Sequence, residues 1–298
     1  MRIIVLGSAA GGGYLQWNSA CPVGQRAWRK DPAAPWRTQC SLAVSADDQH
    51  WVLLNASPDL RQQILDNPAL HPRQAPRHSP IAAVVLTNGD IDHVSGLLTM
   101  RESQRFDLYA SGAILDVLAA NPIFNSLNPT YVSRNRLELD QSIAVAGLEI
   151  LPFAVPGKVA LYLERGEPVI GEESEDTIGL EIRAGDQAFF FVPGCAAMTE
   201  SLAARLTGAP LVLFDGTLWT NDEMVRGATG VKTGARMGHM SVSGPDGSMA
   251  AFAPLRVGRR IYIHINNTNP MLLEDSPERA EVEDAGWTVA HDGMEVSL

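Results

Sequence analysis

The sequence predicts a mixed α/β sandwich in one domain spanning residues 1–298. Short continuous apolar runs, among them residues 81–86 and 211–214, each end in a polar loop, as strands buried on both faces do. Hairpin signals stand between such runs, which makes the expected sheets mixed. The strands are too frequent, and too interleaved with hairpins, for a simple doubly wound Rossmann fold.

In chain order, residues 2–6 read as a first strand running into Gly7-Ser8-Ala9-Ala10-Gly11-Gly12-Gly13. That segment lacks the spacing and the Lys-Ser/Thr of a phosphate loop. It reads as backbone that must approach something closely, such as a pocket rim. Residues 17–35 show no clean period and are expected to form an ordered, irregular loop. Residues 41–45 and 51–55 flank the turn-type residues Ala46-Asp47-Asp48-Gln49, a hairpin pattern. Ser57 is the expected N-cap of a helix with Pro58 in its first turn. The apolar run 81–86 leads into Thr87-Asn88-Gly89-Asp90-Ile91-Asp92-His93, after which residues 94–100 open a helix. A strand at 106–110, a helix near 112–121 and paired strands near 143–152 and 177–183 follow. Three later strands end alike: 188–192 in Pro193-Gly194-Cys195, 211–214 in Asp215-Gly216-Thr217, and 260–263 in His264-Ile265-Asn266. A last helix near 276–285 closes at Gly286, and 287–290 form a last strand.

The 298 residues suffice for one large α/β domain, and no linker or internal repeat divides them. Apolar residues make up 45%, enough for a sizeable core. The net charge is −11 and no Lys/Arg run occurs, which weighs against nucleic acid or an anionic membrane as partner. Cys21, Cys40 and Cys195 are few, odd in number and not spaced for a metal, as expected of a reducing, cytoplasmic setting. The apolar start is too short for a signal peptide, and no run approaches the ~20 residues of a membrane span.

The strongest chemical signal is residues 88–93, with two carboxylates and an imidazole within four residues, after a strand and before a helix. Such a loop can turn several donors towards one divalent cation. The ordinary alternative is a solvated turn with Asp at a helix N-terminus. Asp215 and His264 each follow an apolar strand directly, where a charged group needs a partner or a metal. Taken singly, Asp215 also fits a turn cap and His264 a hydrogen-bonded core histidine. His239, after Gly238, is a weaker candidate. There is no G-x-S-x-G elbow to support a serine hydrolase.

These residues carry a resemblance. Residues 87–93 are similar to a degraded form of the metallo-β-lactamase superfamily motif T-H-x-H-x-D-H. Leu213-Phe214-Asp215-Gly216-Thr217, Gly238-His239 and Ile263-His264 resemble, in order, later motifs of its tRNA 3′-processing nuclease and cyclic phosphodiesterase branches. The glycine-rich start, Gln16-Trp17-Asn18, Asn55-Ala56-Ser57-Pro58-Asp59, Ile91-Asp92-His93, Pro193-Gly194-Cys195, Met237-Gly238-His239 and residues 264–270 together resemble the pyrroloquinoline quinone biosynthesis B family. The resemblance implies a metallo-β-lactamase-like αββα sandwich with a metal at the sheet edge. It also implies a part in making pyrroloquinoline quinone (PQQ) from a peptide-borne Glu and Tyr. One implied role is an iron-dependent oxygenase that hydroxylates the tyrosine of a Glu-Tyr peptide, with O₂ as co-substrate. The other is a carrier of PQQ or a precursor towards the periplasm.

The departures refine this expectation. Asn88 and Asp90 stand at the motif's first two histidines, and no His occurs between His93 and His239. An intact two-zinc hydrolase centre is therefore not expected. What remains as metal donors is Asp90, Asp92, His93, Asp215 and His264, with Asp215 and His239 as catalytic candidates. Two imidazoles with carboxylates and open positions are the ligand type of non-haem Fe(II), favoured here over Zn. Relatives with C-x-C-x-x-C after Gln-Trp-Asn imply a structural zinc. Only Cys21 remains here, so that zinc is expected to be absent.

Overall fold

The computed structural model describes residues 1–298. Its strands are β1 (Arg2–Gly7), β2 (Ser41–Ser45), β3 (Trp51–Leu54), β4 (Ile81–Val85), β5 (Phe106–Ser111), β6 (Val132–Leu137), β7 (Ile143–Val145), β8 (Leu148–Gly157), β9 (Glu172–Ala184), β10 (Gln187–Val192), β11 (Leu211–Asp215), β12 (Arg259–Ile263), β13 (Trp287–Val289) and β14 (Glu295–Ser297). They form two seven-stranded sheets, ordered β14-β1-β2-β3-β4-β5-β6 and β13-β12-β11-β10-β9-β8-β7. Both are mixed: β3 to β6 run parallel beside an antiparallel β1–β2–β3 meander. In the second sheet, β10 to β13 run parallel and β7 to β10 antiparallel. The helices are α1 (Pro22–Trp28), α2 (Leu60–Asp66), α3 (Ile91–Val94), α4 (Gly112–Ala120), α5 (Glu200–Leu206), α6 (Glu223–Arg226), α7 (Gly234–Met237), α8 (Ser248–Phe252) and α9 (Pro277–Asp284).

Alternation along the strands sorts the core into three apolar layers. Val5, Leu42, Val44, Leu54 and Val85 face Ile150, Leu180, Phe191, Leu213 and Ile263 between the sheets. The opposite face of the first sheet packs Leu6, Leu53 and Leu108 against Leu60 of α2 and Ile114 and Leu118 of α4. The outer face of the second packs Phe214 and Tyr262 against Leu202 of α5, Phe252 of α8 and Val282 of α9. The result is helix, sheet, sheet, helix: the αββα sandwich expected from the sequence. Truncating one such side chain, as in Leu213→Ala, costs about 2–5 kcal/mol.

Four local readings need correction. The segment 17–35 is not wholly irregular: it holds α1, whose N-terminus is capped by the Cys21 thiol accepting the Gly24 N–H at 3.3 Å. A sulfur cap is a weak acceptor that pattern reading does not count. Ser57 does not cap a helix. Its hydroxyl donates to Gln63 Oε1 at 3.0 Å, and α2 starts later, with Asp59 in the cap position. The helix expected from Val94 begins earlier, as α3, and continues as a 3₁₀ turn over Ser95–Met100. The edge strands β6 and β14 and the helices α5 to α8 were not anticipated; of the three residues of β14 only Val296 is buried.

Candidate metal centre

The parallel pairs β3–β4 and β11–β12 end at the same edge of the sandwich, and the loops beyond them carry the donors. Past β4, the loop is held by Asn55, which adopts a left-handed backbone (φ 65°) at the end of β3. Its side chain accepts from Thr87 N at 2.9 Å and donates to Thr87 Oγ1 at 2.9 Å. The His93 carbonyl accepts the Ala56 N–H at 2.8 Å, and Gly96 N–H donates to Ala56 O at 2.9 Å. Gly96 must be glycine here: a Cβ would lie 2.1 Å from Ser57 O. Thus the turn 55–57 fixes α3, and α3 presents Asp92 and His93 towards the second sheet.

From that sheet, Asp215 ends β11 and His264 follows β12. Both are buried, and His264 takes φ 57°, a conformation that costs a β-carbon-bearing residue energy and is held by its surroundings. His239 is delivered by Gly238, whose φ of 84° ends α7 and turns the chain inwards.

Asp92 Oδ2 lies 3.1 Å from His264 Nε2 and 3.8 Å from His93 Nε2. Asp215 Oδ2 lies 2.6 Å from His239 Nδ1 and also accepts the Cys195 N–H at 2.9 Å. The His93 and His264 ring centroids are 5.3 Å apart, and His239 stacks on His264 at 5.2 Å. Thr217 is the hub between them. Its hydroxyl sits 2.6 Å from Asp215 Oδ1, 2.8 Å from His264 Nδ1 and 3.1 Å from His239 Nδ1. With that hydroxyl donating to Asp215, His264 Nδ1–H donates to Thr217 and leaves Nε2 directed at Asp92. This assignment follows from the hydrogen-bond network.

Two donor groups result: Asp92, His93 and His264, and Asp215, His239 and His264, each with ligand atoms within 4.8 Å of one another. The residues fit a divalent cation on an independent observation: both ring nitrogens of the buried His93 lack any hydrogen-bond partner. A buried imidazole is normally satisfied, so an unpaired one beside a carboxylate calls for a ligand. Burial pushes His93 down to about 4, against the pull of Asp92, so it is neutral and able to coordinate at physiological pH. Burial works against the charged forms of Asp92 and His264 as well, yet their mutual pairing wins. Asp92, which also faces His93, is held below the usual carboxylate range, and His264 is raised. Asp215 is likewise lowered by His239 in spite of its burial.

Of the residues proposed from sequence, Asp92, His93, Asp215, His239 and His264 are brought together. Asp90 is not among the two donor groups. Its Oδ1 accepts the Leu161 N–H at 3.1 Å, and burial followed by the charge of Asp92 raises its carboxyl. Thr217 and Asn55 were missed as functional positions. The only sequence signal for Thr217 was its place two residues beyond a strand-end carboxylate. The glycine-rich start does form a rim, with a Cβ on Gly11 falling 3.5 Å from the Asp92 carboxylate.

Fold and site together define the class: a family model described as a Beta-lactamase superfamily domain matches residues 50–265. The chain is 58% identical over 299 residues to the coenzyme PQQ synthesis protein B of Xanthomonas campestris pv. campestris (strain B100), covering 100% of both. It is 55% identical to that of Methylobacterium sp. (strain 4-46), again over 100% of both. The crystal structure of Zn(2+)-bound PqqB from Methylobacterium extorquens superposes with a TM-score of 0.98 at 52% identity, covering 100% of each chain. A diphosphatase from the PhnP family shares the fold alone, with a TM-score of 0.71 at 21% identity over 99% of this chain and 97% of its own. The chain belongs to the coenzyme PQQ synthesis protein B family.

Proposed function

We propose that this protein acts in PQQ biosynthesis, in the cytoplasm, as an iron-dependent hydroxylase of the tyrosine ring in a Glu-Tyr peptide. The names of its relatives support the pathway. The single observation that carries the chemistry is the unpaired His93 beside Asp92 and His264, two imidazoles and a carboxylate facing one point. When bound there, Fe(II) supplies the redox chemistry by which O₂ gives one oxygen atom to the ring and one to water, with two electrons from an external reductant.

The protein's own groups do the rest. Asp92, His93 and His264 hold the cation. Asp215 adds a donor or fixes His239, and Asp90, tied to Leu161, steadies the loop that carries the ligands. Asp215 keeps the proton on His239 Nδ1, leaving Nε2 to take the phenol proton. The cytoplasmic setting agrees with three buried, unpaired cysteines, and no helix is long and apolar enough to cross a membrane. The test is anaerobic loading with Fe(II), then Glu-Tyr, ascorbate and air, read by product mass. Gain of one oxygen atom is expected; no gain under any reductant overturns the hydroxylase.

A second reading, a carrier of PQQ or a precursor towards the periplasm, draws on one observation: three cations, Lys158, Lys232 and Arg236, converge beside the centre. Saturable binding of PQQ in equilibrium dialysis is its expected result, and its absence removes the reading.

A further inference from the structure

Glu164 receives three cations. Lys158 Nζ lies 3.0 Å from its carboxylate and Lys232 Nζ 3.5 Å. Arg236 grips both oxygens, at 3.2 and 2.9 Å. Only one carboxylate is in direct contact with these three cations, a local concentration of positive charge in a chain whose net charge is −11. Glu164 itself is only 9% exposed, while Lys232 and Arg236 are 32% and 34% exposed. A tie that merely fastened a loop would need one cation; excess cations around a sheltered carboxylate make an anion site.

The cluster sits beside the metal centre. Arg236 lies in α7, three residues before His239. The Lys158 stem packs against Gly238, where a Cβ would come within 3.1 Å of Lys158 Cγ. The segment from Lys158 to Glu164 straps across the Asp90 loop: Leu161 N–H donates to Asp90 Oδ1, and the Tyr162 hydroxyl donates to Gly89 O at 2.6 Å. The same strap continues with Arg165 and Glu167, and Glu167 acts on Arg236. The three cations therefore border the ligand loops on the His239 side.

We propose that Lys158, Lys232 and Arg236 form a carboxylate-recognition subsite of the metal pocket. Glu164 fills it as an internal stand-in, and a carboxylate of the substrate displaces it. Exchanging one carboxylate for another conserves charge and hydrogen bonding, so the cations need not be desolvated again on binding. The ligand's identity, the glutamyl side chain of Glu-Tyr, rests on the peptide reading above; the anion site does not.

The test is calorimetric titration of the full-length protein with Glu-Tyr, Gln-Tyr and glutarate. Wild type is expected to prefer Glu-Tyr over Gln-Tyr by roughly tenfold, the scale of a charge-assisted contact. Arg236→Gln and Lys232→Gln bring that ratio to about one. Glu164→Gln removes the competing carboxylate and tightens Glu-Tyr several-fold while leaving Gln-Tyr unchanged. An unchanged ratio in both cation variants, or equal weakening of both peptides by Glu164→Gln, overturns the proposal. If neither peptide binds, the peptide reading fails and glutarate decides the subsite. Binding strengthened by Glu164→Gln and lost in Arg236→Gln upholds it, and no glutarate binding to wild type or Glu164→Gln sinks it. Thermal unfolding of each variant confirms its fold, and the half-exposed Lys232 leaves one variant with little to lose.

Discussion

His93→Leu separates the cost of the metal centre from its benefit. His93 buries two nitrogens with no partner, and an unmet buried polar group costs about 1–3 kcal/mol. Leucine removes that cost at nearly the same volume, and the misfit of its shape takes back about 1–3 kcal/mol. Metal-free protein is therefore expected to be about as stable as wild type, or more so. The metal-loaded comparison runs the other way. A cation at about 100 times its Kd stabilises by about 2.7 kcal/mol, provided it binds only the folded chain. For a chain of 298 residues that corresponds to a rise in Tm of roughly 4 °C. The assay is thermal unfolding of both proteins with a chelator and with zinc as a redox-inert probe. Wild type should gain the shift and His93→Leu should not. A full zinc shift in the variant, or a metal-free loss above about 3 kcal/mol, would refute the ligand assignment, the latter because it would reveal a partner that offsets the orphaned nitrogens.

Four other perturbations probe the surroundings. Asp215→Asn turns an amide donor either towards the Cys195 N–H and His239 Nδ1, both now at Oδ2, or towards the Thr217 N–H, now at Oδ1, and should cost about 2–4 kcal/mol in denaturant unfolding; a neutral result would refute the buried network. Gly96→Ala drives a methyl into the Ser57 carbonyl, so about 1–3 kcal/mol of stability and part of the metal affinity should go together, read by unfolding and metal titration; undiminished metal affinity would contradict the buttress. For Glu164, the Arg236 bond first of all holds the carboxyl at about 2 against an ordinary 4.5, so its stabilisation is complete above pH 4.5 and lost as pH falls towards 2. The Tm gap between wild type and Glu164→Gln should accordingly be flat above that value and close below it; a gap that widens in acid has the wrong sign. Asn88→His with Asp90→His should raise zinc per chain by restoring imidazoles to the loop, and unchanged metal content would count against that loop as a ligand carrier.

Much of the sandwich was legible because parallel strands such as β4 and β11 are short apolar runs that stop at a polar loop; β6, Val-Ser-Arg-Asn-Arg-Leu, is no such run and gave no signal. For the same reason Asp215 and His264 stood out: a charge directly after a buried strand needs a reason to be there. What stayed hidden depends on long-range geometry. Asp90 and Asp92 look equivalent in sequence, and only the approach of Leu161, from a strap with no regular period, diverts one of them from the other's company. Thr217 is an ordinary turn residue until two strand ends and the end of α7 converge on its hydroxyl. The helix over Pro22–Trp28 was obscured because its cap is a thiol. The cluster around Glu164 draws its members from two segments without a shared pattern, so charge counting along the chain cannot find it.

The most direct measurement is X-ray absorption at the metal edge of protein purified anaerobically with one equivalent of Fe(II). The expected spectrum shows one ion per chain in a nitrogen and oxygen shell with outer scattering from at least two imidazoles, one of which disappears in His93→Leu. A sulfur shell, or a spectrum that His93→Leu leaves unchanged, would show that the cation binds elsewhere.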